Sequence, residues 1–197
     1  MKRFLIVIVL IVIAVFAYLK FAANGFSARS EPTAIEKYVA RNARSMAVPS
    51  SAKALQNPTP DTPEVLSQAQ AHWADHCAGC HANNGSGDTE MGRNMYPRAP
   101  DMRQAATQNL TDGELFFVIE NGIRLSGMPG WGGSAHSSED SWKLVRFIRH
   151  LPQVSPEEER EMQKMNPRTP AEMQEEKEEE EFLNGETTNE PHHEHHH

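Results

Sequence analysis

The chain contains two cysteines, Cys77 and Cys80, and the second is followed directly by His81. The run Cys77-Ala78-Gly79-Cys80-His81 sets two thiols and an imidazole side by side. Two cysteines exclude a disulfide-rich framework and a four-cysteine zinc site by count. A thioredoxin-like redox pair sits at the start of a helix that follows a strand. Here the preceding segment, Pro63–His76, reads as a helix, with Thr62 as its cap and Pro63 at its first position. A zinc site on Cys77, Cys80 and His81 lacks an evident fourth partner. The C-x-x-C-H spacing is that of covalent c-type haem attachment. Two thiols three positions apart on one helical turn reach the two vinyl groups of a porphyrin, and the next residue presents its imidazole to the iron. One such motif implies one covalent haem c.

The function of a haem depends on its sixth ligand. Methionine or histidine from a distant loop closes the iron for electron transfer, and an open position permits gas binding or catalysis. Met128 is the leading candidate, in the turn-rich run Gly127-Met128-Pro129-Gly130-Trp131 after a helix. The chain has nine methionines, most of which simply fill space in any protein. Met91, Met95 and Met102 also lie between the attachment motif and this loop, and His136 is a further competitor among Ser and Gly neighbours. A thioether favours ferrous iron, so His81/Met128 coordination would raise the reduction potential.

Three helices are expected between Thr62 and Pro152. They are Pro63–His76, with Val65, Ala69 and Trp73 on one face; Asp112–Asn121, with Thr111 and Glu114 as a capping box and Gly122 as the stop; and Ser138–Leu151, ended by Pro152. The last carries a broad apolar surface on Trp142, Leu144, Val145, Phe147, Ile148 and Leu151. Lys143, Arg146 and His150 line another side, read as a solvated face and, as the alternative, a dock for an acidic partner. Residues 82–103 are rich in Asn, Gly and Pro and are expected to wrap the haem. Tyr96, Arg98 and Trp131 are candidate propionate donors, packing or surface roles being the alternatives. A domain of this size is marginal on apolar burial alone, and the porphyrin supplies the missing core.

At the N-terminus, Lys2-Arg3 precede sixteen apolar or aromatic residues, Phe4 to Leu19. Spanning takes ~20 residues, which Phe4–Ala23 just provide within the segment 1–23, with Lys20 snorkelling to the interface. An uncleaved single-pass anchor is expected because no good small-x-small cleavage site follows; a cleaved signal is the alternative. Lys2 and Arg3 place that end in the cytoplasm. The haem domain then faces the periplasm from the inner membrane of a Gram-negative cell. Residues 24–61 are expected to be a linker with a short helix over Thr33–Met46, read as a solvated spacer with Ile35, Tyr38, Val39, Asn42 and Met46 on one side, and a Pro-rich stretch from Pro49 to Pro60.

The net charge of -8 is uneven: residues 1–155 carry a net +2, and residues 156–197 a net -10. No basic face argues for nucleic acid. The domain is taken as 62–155, and 156–197 as an acidic, partly helical or disordered tail. The tail ends in His192-His193-Glu194-His195-His196-His197, a weak divalent-metal tract or a tag remnant.

The region from Pro63 to Leu151 resembles the class I c-type cytochromes, the small all-helical monohaem domains. The resemblance rests on Cys77–His81, on Pro100-Asp101-Met102, and on Gly127-Met128-Pro129 ahead of the Trp142-bearing helix. It implies an all-α fold in which the first and last helices cross beside the haem, with the family's methionine ligand falling on Met128. The wider pattern resembles membrane-attached bacterial cytochromes. The expected function is electron transfer between membrane or soluble redox proteins, with no enzymatic activity. The alternatives are a haem-based sensor or peroxidase with an open sixth site, and a metal-handling protein using the His-rich end. A non-catalytic subunit of a larger dehydrogenase or oxidase is compatible with the main reading.

Overall fold

Hydroxyl side chains start the principal helices. This is seen in a computed structural model that describes residues 2–24, 27, 30–133, 137–168 and 170–183. Among these the chain is all-helical, without a strand. The elements are α1 (Lys2–Asn24), α2 (Ala34–Ala47), α3 (Ser50–Lys53), α4 (Pro63–His76), α5 (Ala78–His81), α6 (Glu90–Arg93), α7 (Ala105–Gln108), α8 (Asp112–Asn121), α9 (Ser138–His150), α10 (Pro156–Met165) and α11 (Pro170–Leu183). Thr33, Thr111, Ser137 and Ser155 each close a capping box with an acidic residue three positions on, at Glu36, Glu114, Asp140 and Glu158. Each box satisfies two backbone N–H groups that a helix start leaves orphaned.

α4 and α9 pack against each other, and α8 lies on α9. Their apolar faces meet around Trp73 and Phe147, whose ring centres are 5.4 Å apart. Phe116 stacks on Trp142 at 4.0 Å. Around them Ala69, Ala74, Leu115, Ile119, Leu144, Val145, Ile148 and Leu151 are buried. Arg149 ties the α7–α8 corner to α9, donating to the carbonyls of Gln108 and Leu110 and to the Asp112 carboxylate.

Two segments read as lying outside the domain make bonds to it. The stretch 49–60 is bonded to the domain rather than a free linker. Asn57 donates to the Trp142 carbonyl at 2.9 Å, Arg146 donates twice to the Thr59 carbonyl, and Thr111 donates to the Lys53 carbonyl. The Gly113 backbone presses on Ala52, whose oxygen would stand 1.9 Å from any Cβ added there. Proline and polar residues carry no apolar period, but their backbone carbonyls still serve as acceptors. The start of the acidic segment is the second. α10 packs on α4 and contributes Met162, fully buried, to the core. Glu158 reaches His150 at 2.7 Å, and Asn84 donates to Glu159. α11 is exposed along nearly its whole described length.

The basic stripe on α9 is engaged within the chain. Lys143 pairs with Glu139, Arg146 holds Thr59, and His150 meets Glu158. The apolar side chains from Phe4 to Leu19 on α1 are exposed. Lys2–Lys20 is the one described stretch long and apolar enough to cross a membrane, a property shared by anchors and signal sequences.

Candidate haem site

The attachment motif sits where one helix ends and a short turn begins. Cys77 caps the C-terminus of α4, its N–H donating to the Trp73 carbonyl at 2.9 Å. Its own carbonyl then accepts from the N–H groups of Cys80 and His81, at 3.2 and 2.9 Å, to start α5. The two sulfurs therefore project from one helical turn, as the spacing requires. Neither is in a disulfide. Burial pushes the Cys77 thiol up to about 12, with Cys80 adding to the shift, and burial also raises Cys80. Both remain protonated thiols at neutral pH.

His81 lies against Trp73, with ring centres 5.8 Å apart. Burial pushes its pKa down to about 4, so the imidazole is neutral, the form that ligates a metal. Its Nδ1 is buried without a hydrogen-bond partner.

The chain leaves the motif by an abrupt turn at Ala82, with φ +62° and ψ 159°. That region is strained for any residue with a Cβ. It is held by Trp73, whose indole N–H donates to the Ala82 carbonyl at 3.0 Å. Further on, Gly87 N–H returns to the His81 carbonyl at 2.8 Å. Gly92 passes so close that a Cβ there would stand 2.4 Å from the Cys80 carbonyl oxygen. Residues 82–103 thus fold back on the motif, with one short helix, α6, within them. The Trp73–Ala82 clamp was not foreseen, since nothing local in the sequence marks it.

The Met128 loop folds back on the end of α8. Ile123 N–H donates to the Met128 carbonyl at 3.1 Å, and Met128 N–H donates to Ser126 Oγ at 3.2 Å. Trp131 N–H donates to the Ile119 carbonyl at 3.0 Å. Met128 is half-buried. Of the other methionines, Met95 rests its sulfur against Gly127, 2.5 Å from where a Cβ would be. Met91 places its sulfur 3.3 Å from Cys80 Sγ. Met102 is half-buried against the core, its carbonyl accepting from Gln108 Nε2, which also donates to the Ile148 carbonyl. His136 and His192–His197 lie outside the described residues.

The candidate propionate donors each meet another side chain. Tyr96 donates to Glu36 at 2.9 Å, Arg98 pairs with Glu31 at 2.7 Å, and Trp131 stacks on His76 at 5.5 Å. Asp101 accepts from Arg103 and Gln104, and these bonds, led by that from the Arg103 side chain, pull its pKa down to about 2. A depressed carboxylate stabilises the fold above its ordinary pKa and loses that contribution as pH falls through the folded value. Asp101→Asn should therefore cost up to about 1 kcal/mol at pH 7, after allowance for solvent screening. The gap to wild type should close as urea denaturation is repeated from pH 4 down to pH 2.

Residues 64–148 match a family model described as cytochrome C oxidase, cbb3-type, subunit III. This stretch is a c-type cytochrome domain. No curated protein matches the chain. The match covers less than half the chain but includes Cys77–His81, the Met128 loop and α9 up to Ile148. Its all-helical architecture, with α4 against α9, agrees with the cytochrome c fold. A cytochrome domain carries covalent haem and transfers electrons, and is typically a carrier rather than an enzyme. The residues around the motif fit such a group on chemical grounds. They offer two protonated thiols on one turn, a neutral imidazole with an orphaned nitrogen, and half-buried Met102, Leu110 and Trp131 packed on the core.

Proposed function

We propose that this chain is a membrane-anchored monohaem electron carrier. The observation that carries the reading is the C-x-x-C-H turn of α5, with His81 neutral and buried against Trp73, inside the stretch that matches the cytochrome family. Cys77 and Cys80 would hold one haem c by thioether bonds, and His81 and Met128 would ligate its iron. The domain proper runs from about residue 48 to α10, supported by the bonds of 49–60 and the burial of Met162. α1 anchors it, with Lys2 and Arg3 on the cytoplasmic side and the domain on the periplasmic side.

The group itself supplies a one-electron ferric/ferrous couple. The protein's part is to fix its surroundings. Trp73 keeps the imidazole seated through its contact with the ring and its bond to Ala82. The loop bonds at Ile123 and Ser126 hold Met128 in place, so that little reorganises when the electron moves. A soft thioether then biases the couple towards the reduced state. The family description is that of an oxidase subunit, which supports a role in delivering electrons within or to a membrane complex rather than in turnover.

An absorption spectrum of the full chain, ferric and ferrous, with and without carbon monoxide, tests the reading. One haem per chain that survives acid–acetone extraction, low-spin in both states and unshifted by carbon monoxide, is the expected result. A high-spin ferric spectrum with ready carbon monoxide binding would replace the carrier with a sensor or peroxidase.

A further inference from the structure

α2 is an amphipathic helix turned the wrong way round for a globular protein. At 100° per residue, Ile35, Tyr38, Val39, Asn42 and Met46 share one face; Asn42 turns its amide onto the Tyr38 carbonyl, and the four apolar side chains are largely exposed, at 75, 70, 58 and 80%. No residue of α2 is buried. The opposite, polar side is the one that meets the domain. Glu36 accepts from Tyr96 of the 82–103 wrap. Arg44 is half-buried in the field of Glu114 at the start of α8. Ser45 at the flank accepts from Lys53. A solvated spacer helix would not hold four large apolar side chains away from the domain's apolar core.

The place of α2 in the chain says what covers that face. Only nine residues, 25–33, separate it from α1. Fully extended they reach about 30 Å, no more than the thickness of the hydrocarbon core itself. With α1 in the bilayer, α2 is confined to the neighbourhood of the membrane surface. Its composition suits that surface. Tyr38 has an apolar ring and a polar tip, and Lys37 and Arg41 lie on the far side of the helix, where they meet headgroups and water.

We propose that α2 lies in the plane of the membrane interface, its Ile35–Tyr38–Val39–Met46 face in the lipid and its polar face bonded to the cytochrome domain. The inference rests on α1 being an anchor. Its consequence is that the domain does not swing on a tether. Through Glu36–Tyr96 and Ser45–Lys53, α2 fixes which side of the domain faces the bilayer and which is left for soluble partners.

The test uses the full, haem-loaded chain in nanodiscs of phosphatidylethanolamine and phosphatidylglycerol. Nitroxide labels are placed at Val12→Cys, Lys37→Cys and Val39→Cys, and their collision with oxygen, which concentrates in lipid, is compared with that of chromium oxalate, which stays in water. The protein without an added cysteine should take up no label, because Cys77 and Cys80 are bound. Position 39 should sit about 5–10 Å below the headgroup boundary, with high oxygen and several-fold lower chromium oxalate contact than position 37. Equal chromium oxalate contact at 37 and 39 would overturn the proposal. Low contact with both reagents at 39 would overturn it too, and would show a protein surface, a second copy or a partner, on that face. The label at position 12 reads the anchor separately: lipid exposure at 12 without it at 39 removes the interfacial helix and leaves the anchor standing.

Discussion

Replacing Met128 by alanine should convert a closed haem into one that binds carbon monoxide. The ferric sulfur-to-iron charge-transfer band should vanish, the ferric state should shift towards high spin, and the ferrous Soret band should move on addition of the gas. The reduction midpoint should fall by on the order of 100 mV, a fraction of the ~0.8 V over which axial ligands tune haem. The physical cause is the loss of a soft ligand that favours the ferrous state. Met95→Ala is the necessary companion, because its sulfur rests on Gly127, next to the proposed ligand. That variant should keep the band, the closed site and a near-native midpoint. If Met95→Ala opens the iron and Met128→Ala does not, the ligand has been assigned to the wrong methionine. Because the Met128 loop is held by main-chain bonds and by Ser126, the Met128 variant should still fold and incorporate haem.

The second large effect is expected at Trp73. This side chain is 2% exposed and touches both the core and the motif: Phe147 on one side, His81 on the other, and the Ala82 carbonyl at its indole nitrogen. Truncation to alanine should cost about 3–5 kcal/mol, a large share of a typical domain's stability of about 5–15 kcal/mol. It should also loosen His81, so that the ferrous spectrum broadens before the protein unfolds. Trp73→Phe separates the two roles. It keeps most of the packing but leaves the Ala82 carbonyl without its donor, at a cost of about 1–3 kcal/mol. Adding Ala82→Gly, which relaxes the backbone at φ +62°, should recover part of the loss in the phenylalanine variant. Urea denaturation of the full chain in detergent, followed at the Soret band, measures all three. No recovery from Ala82→Gly would mean that Trp73 acts by packing alone.

Much of this protein is written locally. Cys77, Cys80 and His81 are adjacent, and their spacing alone names the chemistry of one turn. Helix ends are equally local: Thr62 with Pro63, Thr111 with Glu114, and Gly122 mark α4 and α8 at the positions found, because a cap bonds within three residues of itself. The apolar run of α1 is likewise visible in one glance at the chain, since a spanning helix needs only length and composition. The all-helical class follows from such signals together.

What the sequence left open was decided by groups far apart along it. Asn57 finds the Trp142 carbonyl across 85 residues, and Arg146 finds the Thr59 carbonyl across 87, so a stretch that reads as a linker is bonded down. α10 looked like the start of an acidic tail, yet one methionine, Met162, and one carboxylate, Glu158, tie it to the domain. Lys143, Arg146 and His150, a possible dock when read on a helical wheel, are each spent within the chain. The reversal of α2 is of the same kind. Its periodicity announces an apolar face, and only its bonds to Tyr96 and Lys53 and the exposure of that face reveal that it points away from the core. Caps, spacings and spans depend on neighbours along the chain, and a sequence states them outright. Docking depends on many weak contacts between segments that meet only after the backbone has closed, and those are settled by the tertiary structure.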